Sequence, residues 1–444
     1  MMELMESSSP AMLAAAVRED LPRSGSSVPA LNVVVVDEEL CHPATSGHRI
    51  RALNLMVRLA RRHRIVYLAR RHPDPEQTRR AVKFLADQGV ECLTVDDPVV
   101  PKRGPRFYGR LAANLLSPLP YSVAAHQSPA LLRAARAHAA RRRVDLWQFE
   151  WMAYADPLLG LGGAPGVVVA HNVEALIWQR YHETEPNPLK RWYIRGQWRK
   201  FQRFEQRVFR RAERVIAVSP DDARLVREDL GVPHVEVVEN GMDGRYFGAV
   251  SAQREPGRLL FLGSLDWRPN LDAVNLLLDR IFPEVLAREP SARLVLVGRN
   301  PPPALVRRVQ TQPRVALHAD VADVRPFLAS SAALVVPLRI GGGSRLKILE
   351  ALAAGLPVVS TRVGAEGLDL VAGRDLVVAE VADMAEALLE CLRQPARATT
   401  MAEHGRALVR ERYDWDVLAG RLERVWCSCL RKPGARTASR EGRA

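Results

Sequence analysis

A rhythm of short apolar runs limits what this chain can fold into more than any other feature. Residues 33–36 are consecutive valines ending in Asp37, and comparable runs follow at 65–68, 91–95, 144–149 and 167–170. A strand with no polar alternation has both faces covered, which is the habit of parallel sheets. Helical segments at 75–88 and 129–142 stand between the runs, as crossover units require. The rhythm continues at 215–219 and 235–238. It then repeats at 259–262, 294–297, 315–318, 333–336 and 357–361. The chain therefore reads as α/β, with two Rossmann-like, doubly wound parallel-sheet domains. Its 444 residues give each domain an ordinary size. The first is expected over 31–248 and the second over 258–412, joined by a linker at 249–257.

In an open α/β sheet, ligands meet the carboxyl ends of the strands. One such end leads into residues 341–364, GGGSRLKILEALAAGLPVVSTRVG. Gly341, Gly342 and Gly343 come first, with Ser344 as the expected N-cap of a helix over 345–354. Gly355 then takes the C-cap position and Pro357 blocks continuation. A glycine loop lets backbone N–H groups approach a ligand closely, and the helix N-terminus behind it carries partial positive charge. Arg345 and Lys347 add full positive charges in the first turn, where cations are unfavourable unless an anion is bound. Glu350 lies three residues past Lys347 on nearly the same face, and a carboxylate there can accept from a pair of sugar hydroxyls. Phosphate donors and a hydroxyl acceptor on one helix point to a nucleoside diphosphate sugar. The loop lacks the GKS/T ending of a Walker loop and the third glycine of GxGxxG. Taken alone, the same residues also suit a structural turn with a surface Lys–Glu pair.

The run Glu-Ala-Leu-Ala-Ala-Gly-Leu-Pro-Val at 350–358 resembles the signature of the retaining glycosyltransferases of family 4, the glycosyl transferases group 1, which have the GT-B fold. The resemblance covers residues 31–430 and is strongest over 263–364. The glycine-rich loop followed by Arg-Leu-Lys is similar to a subgroup associated with bacterial surface polysaccharide assembly. The resemblance implies an acceptor domain and a nucleotide-sugar donor domain facing a cleft, with a helix at 413–430 packing back on the first domain. It implies Gly47 and Arg51 at the donor phosphates and His171, at the end of the 167–170 strand, beside the reacting bond. It also puts Glu350 on the ribose, with Gly263 and Gly298 in the donor site.

Two departures stand out. The family's donor-sugar Glu, eight positions before Glu350, is Gly342 here. The loop after Gly263, which in relatives supplies Arg and Lys to the diphosphate, starts with Ser264 and has Arg268 as its basic residue. Arg345 and Lys347 are therefore expected to do the phosphate work. Glu239-Asn240-Gly241-Met242-Asp243 resembles the family's interdomain Pro-Asn-Gly-x-Asp, with Glu239 replacing the proline.

Relatives often carry histidines where this chain has Gln148 and Glu150. Glu150 is a candidate general base for an acceptor hydroxyl. Residues 96–127, with prolines at 98, 101, 105, 118 and 120, read as a long irregular loop that shapes the acceptor site. Residues 190–211 form a helix with nine Lys/Arg, one Glu and six aromatic residues. Either it lies on an anionic membrane surface, or Trp198, Phe201 and Phe209 pack inward and its arginines are simply solvated.

A net charge of +14 favours anionic partners. Nucleic acid is the disfavoured one, because base-stacking aromatics on a defined module are missing outside 190–211. The five cysteines show no zinc spacing. No metal or other cofactor is expected, protein cations taking that role. No apolar run reaches the ~18 residues of a membrane span, and the 11–17 patch follows Glu3 and Glu6 rather than a positive segment. The expected location is cytoplasmic, with peripheral attachment to the inner membrane face. Residues 1–30 and 431–444 are expected to be disordered. The reading is a retaining glycosyltransferase. A nucleotide-sugar epimerase on the same fold, or a non-catalytic nucleotide-sugar or nucleic-acid-binding protein, are the alternatives. Sugar, base and acceptor stay open.

Overall fold

The computed structural model describes residues 29–98, 104–340 and 345–430. They divide into two compact units, 29–238 with 419–430 and 239–418. The terminal segments expected to be disordered lie almost wholly outside the described residues.

The first unit is built on seven parallel strands: β1 (Asn32–Glu39), β2 (Arg64–Arg70), β3 (Val90–Val95), β4 (Leu146–Phe149), β5 (Gly166–Ala170), β6 (Arg214–Ala217) and β7 (Val235–Val237). Their order is β3-β2-β1-β4-β5-β6-β7. The chain winds one way from β1, returns to its other side at β4 and winds the opposite way. The strand ends at that reversal are left uncovered by a crossover, which makes a crevice for ligands. The second unit repeats the plan with β8 (Arg258–Leu262), β9 (Arg293–Gly298), β10 (Val315–Ala319), β11 (Ala333–Val336), β12 (Val358–Ser360) and β13 (Val377–Val378). Its order, β10-β9-β8-β11-β12-β13, reverses between β8 and β11. The central strands are buried on both faces, with Val33, Val34, Val35 and Val36 at most 1% exposed. The edge strand β10 keeps three exposed positions.

Helix starts follow from local chemistry. Asp74, Ser128, Asn187 and Ser219 each precede a proline and accept a backbone N–H of the first turn through the side chain. The cap satisfies an orphan donor, and proline at the next position has no N–H to orphan.

The structure departs from the sequence reading at three places. Residues 96–127 are not one irregular loop, for they hold helices Pro105–Asn114 and Tyr121–His126. The prolines at 105 and 120 act there as helix starters rather than breakers. The helix of the glycine-loop stretch starts at Leu346 and runs to Ala353, with Arg345, the expected first helical residue, at its cap position instead. Finally, a helix that the sequence reading did not anticipate, Glu174–Thr184, follows β5 directly.

The helix expected at 190–211 spans Pro188–Arg211. Phe201, Phe204 and Phe209 are at most 2% exposed, while Trp192 is 60% exposed. Its one glutamate is fully buried: Glu205 accepts from the backbone N–H groups of Glu174 and Ala175 at 2.7 and 2.9 Å, capping the helix that follows β5. The C-terminal helix, Trp415–Leu430, belongs to the second unit up to Leu418 and to the first from Ala419. In the first unit its Trp426 Nε1 donates to Gln148 Oε1 at 2.8 Å, and Glu423 meets His63 Nε2 at 2.9 Å. No described helix is long and apolar enough to cross a membrane.

Candidate functional site

In the first unit, the sheet reversal gathers side chains from four elements. Asp37 of β1 is 1% exposed, and Gln148 of β4 and Glu150 just after it are 1% and 2% exposed. Buried carboxylates are costly unless they are bonded, and both of these are. Asp37 accepts from Tyr67 Oη of β2, from the Glu38 backbone N–H, and from His48 Nε2 at 2.9 Å. Glu150 accepts from Gln148 Nε2 through one oxygen and lies 2.9 Å from His171 Nε2 through the other. The two imidazoles stack, with ring centroids 4.4 Å apart and planes 22° from parallel.

His48 comes from the first turn of the Gly47–Leu59 helix, whose cap Ser46 accepts from Arg49 N. Arg51 follows one turn later and is 2% exposed, and its charge reaches His171. Burial is the largest influence on His48 and works against its charge. The charge and hydrogen bond of Asp37, with Glu150 and Glu39 behind, outweigh it and carry the pKa up to about 9. His171 is shifted the other way, by burial and then by the charge on His48, against the pull of Glu150.

His48, Glu150 and His171 also form a group with metal-ligand atom types, all within 4.8 Å of one another. Each Nε2 already faces a carboxylate, so an ion bound through those nitrogens would have to displace the hydrogen bonds to Asp37 and Glu150. The sequence reading had Gly47, Arg51, His171 and Glu150. It missed His48 and Asp37, although both flank motifs it used.

The second unit arranges its reversal differently. A Cβ on Gly298 would stand 2.0 Å from the Gly263 carbonyl oxygen, so the ends of β8 and β9 meet backbone to backbone only because residue 298 has no side chain. A Cβ on Gly263 would lie 2.8 Å from Asn270 Nδ2 and 2.9 Å from Lys347 Nζ. These contacts put Lys347 over the end of β8. Its ammonium donates to Asn270 Oδ1 at 2.8 Å and sits 4.7 Å from the centroid of the Phe261 ring. Asn270, missed from sequence, is itself tied to the Ser264 carbonyl at 2.8 Å.

Burial, and then the Arg345 charge, lower the Lys347 pKa to about 7, with Glu350 opposing. Burial raises the Glu350 carboxyl to about 7, with Lys347 opposing. No hydrogen bond or ion pair reaches the Glu350 carboxylate among the described residues. Arg345 has φ +52° and turns its guanidinium to Glu366, 3.3 Å from both the carbonyl and the carboxylate. Arg268 is exposed at the start of helix Arg268–Leu276. Gly341, Gly342, Gly343 and Ser344 lie outside the described residues. Thus Gly263, Gly298, Lys347 and Glu350 come together, Arg345 engages a carboxylate, and Arg268 is exposed two residues before Asn270.

Two doubly wound parallel sheets, each collecting its charged residues where the strand order reverses, define the GT-B class of fold. Known structures agree on the fold: the Anabaena protein HepE in complex with UDP and glucose superposes with a TM-score of 0.61 at 15% identity, over 90% of this chain and 100% of that one. The model for Glycosyltransferase Family 4 matches residues 45–245, and that for Glycosyl transferases group 1 matches 256–394. The chain belongs to the family 4, group 1 glycosyltransferases. Curated relatives include a Corynebacterium glutamicum GDP-mannose-dependent monoacylated alpha-(1-6)-phosphatidylinositol monomannoside mannosyltransferase, 26% identical over 44% of this chain. A Mycobacterium tuberculosis glycogen synthase is 25% identical over 60% of it. The matched regions span 56% and 66% of those relatives' own lengths.

Proposed function

We propose that this protein is a retaining glycosyltransferase that moves a sugar from a nucleoside diphosphate donor to an acceptor hydroxyl, in the assembly of a bacterial surface glycan. One observation carries the reading. Lys347, one turn before Glu350 of the family signature, is buried against Gly263 and Asn270 at the β8–β11 reversal, with its proton weakly held. A cation in that state gains most from a dianionic diphosphate. Positive charge held in place before the reaction stabilises a departing diphosphate without reorganisation. Arg345 adds to this field, and Glu350, with no hydrogen bond or ion pair among the described residues, accepts the ribose hydroxyls. His171 serves the reacting end in the first unit, and Glu150 orients it. No metal enters this scheme.

The donor named for one relative is GDP-mannose, while HepE was solved with UDP. Thermal-shift titration with UDP, GDP and ADP, repeated on Lys347→Ala, tests the reading. Stabilisation by one diphosphate, lost in the variant, is the expected result. No response to any of the three would return the weight to a non-catalytic protein.

The partner surface we assign to the start of the Pro188–Arg211 helix. Leu189 and Trp192 are 74% and 60% exposed, three residues apart on one face, and Tyr181 beside them is 48% exposed. Trp178, Tyr181, Leu189, Lys190, Tyr193 and Ile194 line an open apolar pocket of about 460 Å³. Lys190, Arg191, Arg195, Arg199, Lys200 and Arg203 follow with no acidic residue among them before Glu205. Exposed aromatics bordered by cations suit an anionic lipid surface, and a lipid-linked acceptor would be met there. Flotation with anionic vesicles is expected for the native chain and not for Leu189→Ser/Trp192→Ser. Equal flotation of both would remove this surface from the proposal.

A further inference from the structure

The stacked histidines of the first unit say more than the family signature does. His171 has its Nε2 on Glu150, an oxygen acceptor that is buried and already fixed by Gln148. Gln148 is fixed in turn by Trp426 of the C-terminal helix. The carboxylate therefore takes the Nε2–H, and Nδ1 is left as the bare nitrogen. No protein group is recorded on Nδ1 among the described residues. His48 has its Nε2 on Asp37, which Tyr67 and a backbone amide hold from other sides. At a centroid distance of 4.4 Å the two rings repel if both are cations. The groups facing the pair are Asp37 and Glu39 of β1, Tyr67 of β2, Glu150 after β4, and Arg51 on the helix of His48. Each ring has its own buried carboxylate, but three donors reach Asp37 against two on Glu150, and Arg51 further disfavours charge on His171.

We infer that His48 is a positioning residue for His171: anchored by Asp37 and stacked on the His171 ring, it locks that ring against Glu150 and holds the positive charge itself, so that His171 presents a bare Nδ1 to a sugar hydroxyl. The ligand class at this point is a hydroxyl donor, not a phosphate or a metal ion. The inference rests on the reading of His171 as the residue at the reacting end. The stack and tautomer can be measured without any substrate.

The experiment is long-range proton–nitrogen NMR on the full chain labelled at histidine nitrogen, titrated with acid. His171→Gln assigns the His171 signals. In the native chain His171 is expected as the Nε2–H tautomer, titrating below the ordinary histidine range. In His48→Phe, which keeps a flat ring in the stack without its charge, the His171 midpoint is expected to rise by about one unit, a tenfold change in proton affinity. His48→Gln gives the same shift and loosens the tautomer preference. Unchanged His171 midpoints in both variants would overturn the inference. So would Zn²⁺ shifting both rings of the native chain at stoichiometric concentration and failing to do so in His48→Gln, which would make the pair metal ligands. UDP, GDP and ADP thermal shifts report on the second unit and should be the same in the His48 variants as in the native chain. If no nucleotide binds while the NMR result holds, the donor reading fails and the histidine device stands. Once a donor is found, the acid limb of kcat/KM should move up with the His171 midpoint, a readout that a merely structural His48 would not shift.

Discussion

The two sheet reversals share a topology and treat charge in opposite ways. In the first unit, each buried carboxylate at the reversal has a partner: Asp37 with His48 and Tyr67, Glu150 with His171 and Gln148. In the second, Lys347 and Glu350 lie one turn apart without forming an ion pair, and burial pushes both pKa values to about 7. The first site has its carboxylates paired as folded, and the His171 ring offers a lone pair. Among the described residues, the second gives Lys347 a neutral amide and an aromatic face but no carboxylate, and gives Glu350 no hydrogen bond or ion pair, a cost that an anionic ligand with hydroxyls would remove. A paired site orients, whereas an unpaired one binds.

That contrast can be broken most directly at Lys347. Lys347→Ala is expected to weaken binding of the cognate diphosphate roughly 10- to 100-fold, the worth of one charge-assisted hydrogen bond at about 1.5–3 kcal/mol. Isothermal titration calorimetry measures it. Glu150→Gln should leave that affinity where it was, and an equal loss in both variants would mean the two reversals do not divide the work.

Gly298→Ala comes next. Its Cβ would fall on the Gly263 carbonyl, and overpacking of this kind costs about 1–3 kcal/mol. Urea unfolding should show the loss, and diphosphate affinity should fall with it because Gly263 supports Lys347. Normal stability would mean the strand ends separate without cost.

The pH dependence sharpens the contrast further. The folded pKa of Lys347, about 7, is below its ordinary 10.5. Between those values the unfolded chain still holds a proton that the folded chain has released, so this group adds stability as pH rises through that window. Compared with Lys347→Met, the native chain without nucleotide should gain stability from pH 7 to 10. Parallel urea curves across that range would show that the lysine is not desolvated.

The smallest effect is expected in the paired site. Trp426→Phe deletes the donor to Gln148 Oε1, a loss of about 1 kcal/mol. The melting temperature should fall slightly, and His171 should lose part of its tautomer preference in the NMR experiment above. A fall in diphosphate affinity would contradict the division between the two sites.

Much of this was legible in the chain. Continuous apolar runs such as 33–36 and 333–336 became central parallel strands, because a strand covered on both faces has no polar positions to show. The 341–364 stretch led to Lys347 and Glu350, because both sit on one helix and helical spacing is fixed by local geometry. Other features were hidden. Residues 105–114 and 121–126 were taken for loop, because proline starts a helix as readily as it ends one. His48 and Asn270 were passed over, because what gives them meaning is an imidazole and a lysine far along the chain, at His171 and Lys347.

By itself, the sequence determined the periodicity, the helix caps, the parallel sheets and the signature helix, all of which depend on residues within a few positions of one another. Only the tertiary structure decided which buried charges would find partners. Strands that are remote in sequence become neighbours where the sheet reverses, and burial makes every charge there depend on what lies within a few ångströms. The same rule thus produced, among the described residues, two histidines each on a carboxylate in one unit and a buried lysine on a neutral amide in the other.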